Sequence, residues 1–220
     1  MSSQEILQKI ADKSISNKEL LSEMKERPEV IQEIVEGTSS SKPAIRYGCS
    51  KALMNFSAEC PDKLYPFMDS FISLLDTKHR ILTWNALAII ANLATVDRDK
   101  KFDDAFEKYY GFLNDPYMIT VANVVGNSAK IALAKPYLLD RIVNELLRVE
   151  NISLTPHLTE ECRRVIAQQA IEEFDTLFEK TKHKDRIILF VRKHLASPRK
   201  TLKISAENFI KKRSADPAQD

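Results

Sequence analysis

The sequence predicts an all-α protein, a short right-handed α-solenoid of about four to five stacked helical hairpins closed by polar capping helices. Three observations carry that expectation: the scarcity of glycine, the even spacing of prolines, and apolar residues recurring at intervals of three and four. Only four glycines occur in 220 residues, at Gly37, Gly48, Gly111 and Gly126. Sheet proteins spend many glycines on tight turns, so so few argue for helices joined by short connections. Apolar residues make up 44% of the chain, enough to bury a continuous core and to set disorder aside.

Proline punctuates the chain, because it suits the first turn of a helix and damages its interior. Pro43, Pro116, Pro156 and Pro198 are each expected to open a helix, and three of them follow Asp115, Thr155 and Ser197, which are N-capping residue types. The step from Pro43 to Pro116 is 73 residues, two units of 36 or 37, and the next steps are 40 and 42. The missing midpoint falls near position 79, where DTKHR makes a polar break. Pro61 and Pro136 form a second set between the two helices of a unit.

The helical period then fills the units. Ile45, Cys49, Ala52, Leu53 and Phe56 form one stripe, and Leu64, Phe67, Met68, Phe71, Ile72 and Leu75 the next. RILTWNALAIIANLA is apolar nearly all round, and KKFDDAFEKYYGFLND follows with Phe102, Phe106 and Tyr109 in register. Two more pairs follow, the second ending near DRIILFVRKHLA, before a polar last helix. Polar ends around apolar middles are what a capped stack requires. The expected domain is residues 1–213, with caps at 1–41 and 196–213, helix pairs over 42–195, and a tail at 214–220.

The segment KPAIRYGCSKALMNFSAECPDKLYPFMDSFISLLD resembles a HEAT repeat, with Pro43 at the helix start, Ile45-Arg46 one turn in, and Ala52-Leu53 in the packing stripe. The echo of Asn55-Phe56 in Asn92-Leu93 adds a 37-residue step. The chain thus resembles the HEAT/armadillo-like family over about residues 28 to 213. The second unit lacks the opening proline and arginine, and the third has Gly126 at a position where a bulkier residue is expected. That resemblance implies an architecture, not an activity.

No catalytic motif stands out. Phosphate-cradling glycine loops and the GxSxG elbow are absent from the sequence, and no cofactor is expected. His157, Glu160, Glu161 and Cys162 could meet on one helical turn, but the reading preferred is a helix start with acids in its first turn rather than a metal site. Trp84 is expected in the core. Asn85, Asn92, Asn123 and Asn127 lie inside apolar helices and are expected to bond a neighbouring unit's connections, or else to form a polar groove. The three cysteines are odd in number and lack metal spacing, and no apolar run approaches the length of a membrane span, so a cytoplasmic protein is expected.

Charge is unevenly distributed. Residues 1–37 hold five Lys/Arg and eight Asp/Glu, whereas 180–213 hold twelve Lys/Arg and two acids. Two readings follow. One is a non-enzymatic scaffold binding a protein or peptide, acidic partners included, through the concave surface or the basic end, with Arg141, Arg148, Arg186, Arg192, Lys193, Arg199 and Lys200 as candidate contacts. The other is nucleic-acid binding, including a resemblance to HEAT-like DNA glycosylases. That activity would need positive charge along most of the groove, and here it is confined to one end.

Overall fold

The computed structural model describes residues 3–214. Among them the only extended pairing is an isolated antiparallel bridge between Thr155 and Leu158. The chain divides into two compact units, Met1–Phe106 and Glu107–Asp220.

The first unit opens with α1 (Ser3–Asp12), α2 (Asn17–Glu26) and α3 (Pro28–Gly37). Ser16 caps α2 through a reciprocal bond with Glu19, satisfying two backbone donors at once. α4 (Pro43–Glu59) packs against α1 and α3 on one flank and against α7 (Arg80–Leu93) on the other. Leu53 and Phe56 of α4 and Ile89 and Ile90 of α7 are fully buried. At Gly48 an added Cβ would lie 2.5 Å from Ile10 Cγ2, so glycine is what allows α1 to approach α4.

The stretch expected as one second helix is instead segmented. α5 (Pro61–Leu64) gives way to a 3₁₀ turn at Tyr65–Phe67, then α6 (Met68–Ser73) and a second 3₁₀ turn at Leu74–Asp76. Pro66 is the cause: without an N–H, and with a ring that clashes one turn back, it cannot continue an α-helix. The interruption is used. Tyr65 donates its hydroxyl proton to the Asp97 and Asp99 carboxylates, at 2.9 and 3.1 Å, and accepts from the Asp99 N–H. Asp97 in turn receives the Lys101 and Phe102 N–H groups that open α8 (Lys101–Gly111).

In the second unit α11 (Glu160–Leu177) lies between α9 (Met118–Ala134) and α13 (Lys200–Ser214). α10 (Leu139–Leu147) and α12 (Lys184–Arg192) pack beside them. Edge-on ring pairs, Phe174 with Phe190 and Phe178 with Phe209, tie α11 and its 3₁₀ extension to α12 and α13. Arg213 closes the end, its guanidinium 3.6 Å over the Phe209 ring and paired with Asp175. Gly126 of α9 is filled from outside, since a Cβ there would meet the Gln169 side chain.

The repeat phase is set by a local turn rather than by proline. Side-chain oxygens of Ser40, Thr77, Asp115, Thr155 and Ser197 each accept the N–H two residues on. Those positions are spaced by 37, 38, 40 and 42 residues, and each turn leads into α4, α7, α9, α11 or α13. Such turns divert the chain while satisfying a backbone donor. Pro43 does open α4, but Pro116, Pro156 and Pro198 sit ahead of helices that begin at Met118, Glu160 and Lys200. Thr159, not Thr155, caps α11.

The four amides divide into two kinds: Asn85 and Asn92 are buried, whereas Asn123 and Asn127 are half-buried. Asn85 donates to Ser50 at 2.9 Å and Asn92 to Ser57 at 2.8 Å, so both bonds join α7 to α4, where the sequence suggested a connection. Asn123 and Asn127 bond carbonyls four residues back on α9 itself. Trp84 is half-buried on α7.

Candidate functional site

α10 turns Leu139, Ile142, Val143 and Leu146 inward and leaves Arg141, Asn144, Glu145 and Arg148 on its outer face, the spacing of one helical stripe. α12 buries Ile187, Phe190 and Val191 and exposes Arg186 and Leu189. Between the two outer faces lies a cleft of about 250 Å³, lined by Asn144, Arg148, Glu150, Arg186, Leu189 and Lys193 among others. Three of the seven candidate contacts therefore meet in one place.

Their polar groups are arranged in pairs. Arg186 donates to Asn144 Oδ1, whose amide nitrogen lies 3.4 Å from His183 Nε2. Arg148 pairs with Glu145, and Lys193 Nζ lies 2.6 Å from Glu150. Lys193 and Glu150 also line a second cleft of about 360 Å³, with Glu160, Arg163, Arg164 and His194. Burial, opposed by Glu150 and reinforced by Lys193 and Arg163, holds the His194 imidazole below its ordinary value, so the ring is neutral at neutral pH. Its edge packs 5.0 Å from Phe190.

The other candidates lie apart from this cleft. Arg141 pairs with Glu107, and Arg199 with Glu161. Arg192 and Lys200 are exposed, and their side chains have no ion-pair partner among the described residues. Five of the twelve cations at the basic end are matched by acids one repeat earlier: Lys182 by Asp140, Lys193 by Glu150, Arg199 by Glu161, and Lys212 and Arg213 by Asp175, separated by 37 to 43 residues. Exposed pairs of this kind contribute little stability, about 0–1 kcal/mol each, so an outside carboxylate can replace the internal one at small cost. Asn144, Glu150 and Leu189, which complete the cleft, are not singled out by sequence; the outward stripe on α10 was the one available signal for Asn144.

His157 and Cys162 do not converge. His157 stacks on Tyr117, with ring centroids 4.3 Å apart, while Cys162 sits in the first turn of α11 beside the Thr159 cap. Among the described residues no group of three His, Cys, Asp or Glu side chains is placed to hold a metal ion, and no helix is long and apolar enough to cross a membrane.

Neither a protein-family model nor a curated protein sequence matches this chain. Solved structures do. A designed armadillo repeat protein superposes with a TM-score of 0.65 at 16% identity, covering 94% of this chain and 92% of its own. The architecture is that of an armadillo-type helical repeat. A second designed armadillo repeat protein, solved in complex with the peptide (KR)4, gives a TM-score of 0.66 at 14% identity over 94% of this chain and 91% of that one. Computationally designed armadillo repeat proteins for modular peptide recognition give 0.67 at 16% identity, with 94% and 92% covered. At such identities the likeness of this armadillo-like chain is one of fold.

Proposed function

We propose that this armadillo-like protein is a non-enzymatic scaffold that holds a protein or peptide partner, and that the α10–α12 cleft takes an acidic segment of that partner. The observation that carries the reading is the convergence of Arg148, Arg186 and Lys193 on one cleft. Each is held by a neutral amide or a partly exposed carboxylate that an incoming carboxylate can displace. Leu189, 59% exposed, supplies an apolar contact beside the charges. The peptide complex of a structurally similar designed protein supports repeat-surface peptide binding in general. That peptide is basic, whereas this cleft presents cations, so the partner here carries the opposite charge. The free thiols of Cys49, Cys60 and Cys162 suit a reducing cytoplasm. Duplex nucleic acid fits less well, because Glu145, Glu150, Glu160 and Glu161 interleave with the arginines.

Selection from a random peptide library displayed on phage tests this directly. The expected result is a consensus rich in aspartate and glutamate, whose binding falls as salt rises. A basic consensus, or no enrichment, would overturn the assignment.

A further inference from the structure

The first unit carries a separate cleft, between the end of α1, the start of α2 and the outer face of α4. Its volume is about 490 Å³, and its walls include Ile10, Ile15, Leu20 and Tyr47. Gly48 forms part of the floor and permits the close approach of α1 that shapes it. The charged side chains lining the cleft are Lys13 and Lys51, both exposed and both without an ion-pair partner among the described residues. No carboxylate lines it, although residues 1–37 hold more acids than bases. Lys13 also has φ of 57°, at the end of α1 where glycine is the usual residue. The chain thus keeps an ammonium on the rim at a position where the backbone disfavours any side chain.

We propose that this groove docks an amphipathic acidic segment of a protein partner, with aliphatic or aromatic side chains against Ile10, Ile15 and Leu20 and carboxylates on Lys13 and Lys51. Apolar burial supplies the affinity, and the two unpaired ammoniums set the charge of the occupant. A basic segment would bring like charges together on the rim and is rejected. The site goes beyond the α10–α12 assignment, using different residues in a different unit, and either can fail without the other.

The probe is a synthetic amphipathic peptide with leucine and phenylalanine on one face and glutamate on the other, titrated against the full chain by fluorescence anisotropy. A copy with lysine in place of glutamate is the control. Wild type is expected to bind the acidic peptide saturably and to ignore the basic copy. Lys13→Glu with Lys51→Glu should weaken acidic-peptide binding by at least about tenfold, the equivalent of one lost ion pair, and admit the basic copy. Ala44→Trp, at an exposed lining position, should block the groove by bulk alone and serves if the charge variant misfolds. Amide resonances of α1 and α4 should shift on binding. Equal binding of both peptides, no saturable binding by wild type, or retention of binding in the folded variants would overturn the proposal. So would a loss seen only when Arg148, Arg186 and Lys193 are changed, which would assign the peptide to the other cleft.

Discussion

Asn92 of α7 donates its side-chain amide to the Ser57 hydroxyl of α4 at 2.8 Å, and the two residues stand 35 positions apart. One turn and more away along the same helices, Asn85 and Ser50 repeat the contact at 2.9 Å with the same separation. Two buried amide–hydroxyl bonds therefore fix the register of one helix on its predecessor. An unpartnered buried amide is costly, so each bond also penalises a slipped alignment.

Asn92→Ala should destabilise the protein by about 1–2 kcal/mol, since it opens space and removes one buried bond, while the Ser57 hydroxyl keeps the Met54 carbonyl as its acceptor. Ser57→Ala takes this acceptor away from the buried Asn92 amide and should cost a similar amount, and the double variant should cost less than the sum of the two. A double-mutant cycle by urea denaturation reads the coupling, and strict additivity would show that the bond contributes nothing.

Tyr65→Phe removes the hydroxyl that joins the Asp97 and Asp99 carboxylates. The expected cost is about 1–3 kcal/mol, with faster amide exchange in the first turn of α8, where Asp97 accepts the Lys101 and Phe102 N–H groups. Unchanged exchange there would mean that Asp97 holds its position without Tyr65.

Repeat length, helix order and the polar break before α7 were legible in the sequence, because capping-type residues and apolar periods are local properties. The device behind the period was not. Proline drew attention to positions 43, 116, 156 and 198, while the bond common to all five turns is made by Ser40, Thr77, Asp115, Thr155 and Ser197. Pro66 announced a break that the apolar stripe of its segment concealed. Asn85 and Asn123 look alike in sequence, and only the hydroxyl offered by Ser50 on the opposing helix separates them. Part of the surplus at the basic end is matched by acids one repeat earlier, which lie beyond any local window. Of the candidate contacts, the stripe Arg141, Glu145 and Arg148 was readable as helical spacing. The groove of Lys13 and Lys51 was not, since it depends on how closely Gly48 lets α1 approach.

Glu173 of α11 is half-buried and accepts the Ala129 N–H at 2.7 Å. Burial, opposed by that bond and reinforced by Glu172, raises its carboxyl above the ordinary 4.5. A raised folded value favours the protonated form, so its contribution to stability is full below pH 4.5 and is lost as pH rises through the folded value. Glu173→Gln keeps an acceptor without the charge. Its stability relative to wild type should therefore increase as pH rises from about 4.5 and then level off. Thermal midpoints across a pH series check this, and a difference that is flat with pH would contradict it.

Ile90 is fully buried on α7. Ile90→Asp places an uncompensated carboxylate there and should cost at least about 3 kcal/mol, lowering helical ellipticity by more than one helix can account for. A soluble variant with undiminished helix would contradict the assigned face.

Recognition of an acidic protein segment by the α10–α12 cleft can be read from binding heats. The most direct measurement is a calorimetric titration of the library-selected peptide into wild type and into the Arg148→Ala, Arg186→Ala, Lys193→Ala variant, with duplex DNA in parallel. Peptide binding is expected to saturate, to weaken at least about tenfold in the variant and to decline with salt, with duplex binding far weaker near physiological salt. Peptide affinity unchanged in a folded variant, or submicromolar duplex binding falling steeply with salt, would contradict it and put nucleic acid first.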